Sequence, residues 1–400
     1  MKEFLLGAFL LFGCGVSAIQ ADVSFESPLA QANNIFGCDL YAQYLSGEKN
    51  ILFSPYSLSS ALSMTYEGAR GDSARKMRNA LHFSTDDTTR QQELKMLMAR
   101  FNALDKPYAL SVANALWAQQ GYAFLPEYFD LADRVYMGKV RNLDFKSDTE
   151  NARITINAWV EERTNSKIKD LISAGALSSS TRLVLTNAVY FKAEWTQKFE
   201  ERNTSAQDFW VNPTQSVKAD LMFQESFFGY AEDDKLQAIS LPYKGGDLSM
   251  IIFLPKDKDL SSFEKTLSAE AFSQWKARLL AVERVEVVLP KFKFEASYQM
   301  KDALIRLGMG DIFVYGAADF SGMNGNHELY VGDVLHKAFI EVNEDGTEAA
   351  AATAVMMAAG SAAPQEDPKV FRADHPFFFV IQDNMTGLVL FMGRVMDPTK

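Results

Sequence analysis

From Ala349 to Gln365 the chain reads AAAATAVMMAAGSAAPQ, seventeen consecutive residues without a charge and almost without a large side chain. Few architectures accommodate such a tract near the end of an otherwise ordinary sequence. A packed helix needs bulky groups to bury, and alanine, the best helix former, supplies none. A flexible linker is richer in Gly, Ser and charge. Small uncharged residues also suit a strand that slides into a crowded sheet, where bulky or charged inward groups would clash. One apolar strand precedes the tract, Lys337 to Asn343, and another follows it from Phe371. Composition by itself leaves helix, linker and inserting strand open.

The rest of the chain has material for a large core. Of its 400 residues 48% are hydrophobic and 12% aromatic, and an ordinary 23% are charged, which excludes a disordered chain. No internal repeat or parting linker appears, so 19–400 reads as one domain. The net charge of −11 is spread without a run of five like charges. That balance argues against nucleic acid or an anionic membrane as partner.

Residues 1–18 read as an export signal. After Met1-Lys2 comes an apolar stretch, Phe4 to Phe12, too short to span a bilayer, and Val16-Ser17-Ala18 suits a signal peptidase. A secreted, extracellular protein is expected. Leu11-Phe12-Gly13-Cys14 also resembles a lipobox, with Phe12 a poor fit. In a bacterial host, acylated Cys14 would make a periplasmic or cell-surface lipoprotein. Cleavage after Ala18 leaves Cys38 as the one mature cysteine, so no internal disulfide forms. Cys38 lies among Ile35, Phe36, Leu40 and Tyr41 at helical spacing, which reads as packing, with a reactive thiol the alternative.

Helical periodicity predicts helices over Leu29–Leu45, Ser57–Tyr66, Asp72–Leu81, Thr88–Ala103, Pro126–Arg134, Ile154–Glu162, Leu260–Leu280 and Met300–Leu307. Ser54-Pro55 opens the second as a cap followed by a first-turn proline. Strands are expected at 51–53, 109–118, 140–145, 183–191, 238–241, 250–254 and 285–289. A terminal hairpin of 377–381 and 388–392 turns at Asp383-Asn384-Met385-Thr386-Gly387. Strands and helices mixed without regular βαβ order indicate an α+β fold.

Catalytic motifs are absent. The chain has no G-x-S-x-G elbow, no phosphate-binding loop and no dinucleotide fingerprint. His327-Glu328 begins like a zinc motif, but Val331 stands where the second imidazole belongs. Asp86-Asp87 and Asp233-Asp234 fall in polar, turn-like stretches and read as solvated surface. Neither an enzyme, nor a metal site, nor a cofactor is indicated.

Glu344-Asp345-Gly346-Thr347-Glu348, followed by Ala349, Ala350, Ala351 and Ala352, resembles the hinge of inhibitory serpins. Phe371-Arg372-Ala373-Asp374-His375-Pro376-Phe377-Phe378-Phe379 is similar to the C-terminal signature of that family. Asn187-Ala188-Val189-Tyr190-Phe191-Lys192-Ala193-Glu194-Trp195 resembles its central-strand motif, and Ser54-Pro55-Tyr56-Ser57 its early helix motif. Order and spacing agree from about Leu29 to Pro398. The resemblance implies the serpin fold, three β-sheets and about nine helices with an exposed reactive-centre loop at about 344–370. It also implies suicide inhibition of a serine protease. The protease serine forms an acyl intermediate on the loop, and the freed hinge side enters the largest sheet as a new strand. Fourteen extended residues, Thr347 to Gly360, span roughly 46 Å, enough to cross a large sheet.

The resemblance also places single residues. Ser54, Ser57, Asn187 and His336 fall where serpins keep a polar cluster beneath the point at which the sheet opens. Ser54 also reads as a plain helix cap and His336 as an ordinary core histidine. Trp195 falls where the loop first enters the sheet, and alone would read as core packing. Counting sixteen residues from Glu344 gives Gly360-Ser361 as the cut bond, with Met356, Met357, Ala358 and Ala359 as alternatives. Counting back from Pro376 gives about Gln365. The implied partner is a serine protease held in a covalent acyl complex by a monomeric inhibitor. No Lys or Arg lies between Gly346 and Pro368, so an elastase-like or subtilisin-like target is expected over trypsin. Segment 88–103 carries only Arg90, Lys95 and Arg100, so no heparin-type activator is implied. Asn203 and Asn384 head glycosylation sequons. The competing function is a non-inhibitory serpin acting as carrier, storage protein or chaperone. Such members spoil the hinge with bulky or charged residues, whereas Thr347 and the alanines here are intact.

Overall fold

The computed structural model describes residues 27–103, 105–279, 281–347 and 367–400. The expected export segment with Cys14, and the tract positions Ala349 to Ala352 and Met356 to Ser361, lie outside the described residues.

Helix starts follow local chemistry. The first helix, α1 (Pro28–Ala42), begins where Ser27 Oγ accepts the Ala30 amide and proline sits in the first turn. Ser54 does the same for α2 (Pro55–Glu67), taking the Ser57 amide. Every residue of α2 from Pro55 to Tyr66 is buried, so this helix has no solvent face. Gly71–Ala80 (α3), Asp87–Phe101 (α4), Pro126–Tyr136 (α5) and Thr149–Arg163 (α6) follow. The helix expected over Leu260–Leu280 is instead two, α7 (Leu260–Glu264) and α8 (Ala269–Arg278). Ser268 starts the second by accepting the Ala271 amide, a cap that a continuous helix could not contain. The helix expected at Met300–Leu307 is shortened to α9 (Lys301–Leu304), followed by a wide turn in which Gly308 takes φ +96°. A last short helix, α10, spans Ser321–Asn324.

The strands in chain order are β1 (Ile51–Phe53), β2 (Tyr108–Gln119), β3 (Lys139–Leu143), β4 (Leu183–Glu194), β5 (Ser205–Asn212), β6 (Gln215–Glu232), β7 (Leu236–Pro242) and β8 (Leu248–Pro255). Then come β9 (Val282–Pro290), β10 (Phe292–Gln299), β11 (Asp333–Val342), β12 (Gly346–Thr347), β13 (Lys369–Arg372), β14 (Phe377–Asp383) and β15 (Val389–Val395). One sheet has six strands in the order β10-β11-β12-β4-β2-β3. The other ladder has nine, β1-β15-β14-β8-β7-β6-β9-β13, with β5 on β6. Two of the three expected sheets are thus joined by hydrogen bonds, because the long β6 serves both. Its residues 221–229 pair with β9 and 229–232 with β7.

The six-stranded sheet has apolar groups on both faces. On β4, Leu183, Leu185, Val189, Phe191 and Ala193 point into the main core. The intervening Val184, Ala188 and Tyr190 pack in a second cluster with Ala152, Ile156 and Val160 of α6. That two-sided burial explains the continuous apolar run in β4. Cys38 is half-buried, and burial, then the Asp39 and Glu270 carboxylates, pushes its thiol up to about 12. It stays protonated and packs against the core.

Candidate functional site

The candidate site lies along the seam between β4 and β11. These strands pair in parallel over seven residues, from Asp333↔Val184 to Phe339↔Tyr190. Above Tyr190 they part, and β12 occupies the gap. Gly346 and Thr347 pair antiparallel with Glu194 and Ala193 of β4, and Thr347 with Val342 of β11. Only glycine fits at 346, since a Cβ there would stand 2.1 Å from the Ala193 carbonyl oxygen. Thr347 is fully buried, its hydroxyl 2.7 Å from that of Tyr243. The chain segment ending in Thr347 is therefore already seated in the sheet.

Trp195 forms the floor of this gap. It stacks on Tyr243 with ring centroids 4.5 Å apart, and its Nε1 donates to the Asn343 carbonyl at 3.0 Å. Its amide donates to the Asp345 carbonyl at 2.9 Å. Ion pairs ring the opening. Lys291 meets Glu344 at 3.0 Å, and Lys198 meets Asp345 at 3.0 Å and Glu194 at 3.5 Å. Burial would raise the Glu344 pKa, but its backbone amide, Lys291 and the Thr204 hydroxyl outweigh that and hold it below the usual carboxylate range.

Lower on the seam, where His336 pairs with Asn187, the structure joins Ser54, Ser57, Asn187 and His336 in one hydrogen-bonded cluster. All four are fully buried. The Ser54 amide donates to His336 Nε2 at 3.2 Å, so Nδ1 carries the proton and donates to Asn187 Oδ1. The Asn187 amide nitrogen donates to Ser57 Oγ and to Asn114 Oδ1. Ser54 Oγ, besides capping α2, donates to the Leu390 carbonyl. Burial lowers the His336 pKa to about 3, so the imidazole is neutral in the folded protein. The cap reading of Ser54 and the cluster reading both hold, because one hydroxyl serves both.

Sequence reasoning missed Asn114, Tyr243, Lys198 and Lys291. Asn114 could have been found, since a buried amide in the middle of the apolar strand Tyr108–Gln119 needs a partner. Asn187 directly opposite supplies it. For Tyr243 and the lysines no local signal exists.

Residues 31–398 match the family model described as serpin, serine protease inhibitor. The chain is 41% identical to human serpin B3, covering 92% of this chain and 99% of that one. It is 40% identical to bovine leukocyte elastase inhibitor over the same shares. A serpin-like protein of Thermococcus kodakarensis is 43% identical over 93% of this chain and 86% of its own. Among solved structures, uncleaved ovalbumin superposes with a TM-score of 0.85 at 28% identity, covering 93% of this chain and all of that one. Human thyroxine-binding globulin complexed with thyroxine gives 0.84 at 28%, over 93% and 99%. The α+β architecture is the serpin fold, and the family is one of protease inhibitors, not of catalysts. This chain belongs to the serpin family.

Proposed function

We propose that this serpin is a suicide-substrate inhibitor of a serine protease with a shallow apolar pocket, elastase-like or subtilisin-like. The observation that carries the reading is the register of Thr347 between β4 and β11. Continuing that register into a cleaved loop gives each residue two defined neighbours. Ala349 would lie between Phe191 and Ile340, Ala351 between Val189 and Ala338, and Val355 between Leu185 and Val334. These face the main core. Ala350, Ala352 and Ala354 would face α6, and Glu348 would stand beside exposed Lys192. Thr353, the one hydroxyl in the early tract, would fall between Asn187 and His336, the two groups that insertion separates. Met357 would reach Leu183, the end of β4, leaving Gly360 free at the far pole. Small residues, one hydroxyl and one charge each fall where the sheet has a place for them. The same chemistry opposes a carrier or storage role, which gives no reason for a tract matched to the seam.

The target class follows from the absence of cations between Gly346 and Pro368. A chymotrypsin-fold elastase mixed with the purified chain should give a covalent complex that survives SDS. Mass spectrometry of the released C-terminal peptide should find it starting between Met357 and Ser361. Clean cleavage without complex would leave the non-inhibitory serpin reading. Efficient trapping of trypsin, with a fragment starting after Lys369 or Arg372, would overturn the register and the target class together. No polyanion activator enters the reading. On α4, Arg90 is buried against Glu67 and Arg100 reaches the buried Asp383, which leaves Lys95 at the surface. Export also belongs to the proposal, and N-terminal sequencing of chain recovered from the medium should begin at Ile19.

A further inference from the structure

Asp345-Gly346 is the one Asp-Gly pair in the chain, and it stands in the turn that carries β11 into β12. In such a pair the glycine amide nitrogen reaches the aspartyl carboxyl carbon through a five-membered ring, with no Cβ in its way. The seated turn occupies the groups that this closure needs. The Gly346 amide donates to the Asn343 carbonyl and to Asn343 Oδ1, both at 3.2 Å, and the Asp345 carboxylate holds Lys198 at 3.0 Å. The Asp345 amide donates to Asn343 Oδ1 at 3.1 Å, and its carbonyl accepts the Trp195 amide at 2.9 Å. The Asp345 side chain is still 26% exposed, so water reaches it. Lifting β12 from the gap breaks the contacts to Trp195 and Lys198 and loosens the turn.

The chemistry balances within the chain. The protonated Asp345 carboxyl loses its hydroxyl, together with the Gly346 amide hydrogen, as water, and a Cγ–N bond closes a succinimide. Water then adds to one of the two ring carbonyls. Breaking the bond from nitrogen to Cγ restores aspartate. Breaking the bond from nitrogen to the main-chain carbonyl leaves isoaspartate, with the main chain running through Cβ and Cγ. One water leaves, one returns, and nothing is oxidised. The product carries an additional main-chain carbon where the sheet has no room, since even a Cβ on Gly346 would stand 2.1 Å from the Ala193 carbonyl oxygen and 2.7 Å from Glu194 Cα. With the turn lengthened, Thr347 cannot keep both its pairing with Ala193 and its hydroxyl contact with Tyr243.

We propose that Asp345-Gly346 is a self-isomerising modification site, quiet while β12 is seated and reactive when it lifts, whose product stops β12 from returning. The chain's one Asn-Gly pair, Asn324-Gly325, marks the contrast. Asn324 is 8% exposed, and the Gly325 amide donates to the Ser321 carbonyl at 2.8 Å within α10. That helix is tied to Gly68 and Leu125, away from the gap, so Asn324 reacts only from the unfolded chain. In an unfolded chain asparagine closes the ring faster than aspartate, whose carboxylate must first be protonated. Isomerised Asp345 beside intact Asn324 is therefore the signature of local opening. The proposal rests on the inhibitory reading only in its consequence, the loss of trapping by the isomerised fraction.

The test ages the purified chain at physiological temperature beside two controls. Asp345→Glu keeps a carboxylate for Lys198 but must close a slower six-membered ring, and a free peptide spanning residues 338–348 supplies the unprotected rate. Isoaspartyl methyltransferase labelling and fragmentation mass spectra locate the product. Isoaspartate should build up at 345 in the parent chain about 10-fold more slowly than in the peptide, as for a locally opening edge, and be missing from Asp345→Glu. Lys198→Ala removes one tie on the turn and should speed the reaction about threefold. Hydrogen exchange at the Trp195 amide, bonded to Asp345 in the seated form, should quicken in step with the isomerised fraction. If the parent chain traps no protease, the inhibitory reading fails while the isoaspartate and exchange measurements still decide the site. Absence of isoaspartate at 345 overturns the proposal. So does deamidation of Asn324 to the same extent, or an isomerised chain whose Trp195 amide stays protected.

Discussion

The two halves of the seam between β4 and β11 are closed by opposite means. At the top, the strands are already apart, and the opening is ringed by Lys291, Glu344, Lys198, Asp345 and Glu194 at the rim. Lower down they are zipped by a parallel ladder and locked by neutral, fully buried hydrogen bonds among Ser54, Ser57, Asn114, Asn187 and His336. Partly exposed ion pairs are weak and screened by salt. Buried hydrogen bonds are costly to leave unmade. On the proposed inhibitory reading, a strand would begin to enter at low cost and meet its barrier at His336. That division suits a protein whose native state is held by kinetics.

Cutting the loop between Val355 and Pro364 tests the comparison most severely. The freed strand should exchange the parallel ladder for two antiparallel ones and bury its apolar side chains. The thermal midpoint should rise by on the order of ten degrees or more, read by calorimetry. A midpoint that falls or stays put would mean that the seam does not open.

Thr347→Arg comes next. Position 347 is already interior and bonded to Tyr243, so the guanidinium must either expel β12 or enter the core unpaired, at a cost of several kcal/mol. The protein should fold, lose covalent trapping and be consumed as a substrate. The stoichiometry of inhibition measures this, and an unchanged value would remove the hinge assignment.

The lower lock has a pH signature. Burial depresses the His336 pKa from 6.5 to about 3, so the unfolded chain binds its proton in a range where the native state does not. The stability is complete above pH 6.5 and is lost as pH falls towards 3, by about 1.4 kcal/mol per pH unit from this group. His336→Gln should flatten that acid limb in denaturant titrations run from pH 7 to pH 4. An identical slope in parent and variant would mean that the imidazole is not held neutral.

The upper closure should respond least. Lys291→Ala should lower stability by no more than about 1 kcal/mol in denaturant titrations, with the difference shrinking as salt is added. A larger, salt-independent loss would make the top of the seam as firm as the bottom.

Legibility in the sequence varied with the range of the cause. The cap at Ser54, the turn from Asp383 to Gly387 and the hydrophobic run of β4 are local, and each matches the structure. The strand β10 escaped notice because its polar and apolar residues alternate, as in Phe292-Lys293-Phe294-Glu295, and β5 and β6 because their short apolar runs, Phe209-Trp210-Val211 and Leu221-Met222-Phe223, are set among polar residues. The expected helix over Leu260–Leu280 concealed a second cap at Ser268, since periodicity does not reveal whether a serine hydroxyl turns inward to its own backbone. Within the site, resemblance supplied Ser54, Ser57, Asn187, His336 and Trp195. Their partners Tyr243 and Lys291 come from distant segments and carry no local mark, whereas Asn114 is marked only as an amide within an apolar strand.

By itself the sequence determined the α+β class and the uncharged tract, because side-chain size, charge and periodicity act within a few residues of their origin; the hinge came from resemblance. Only the tertiary structure decided that Thr347 is already lodged between β4 and β11, and that its register leads to Asn187 and His336. Strand register between segments more than a hundred residues apart depends on how the whole core packs. A slip of one residue would turn every side chain to the wrong face.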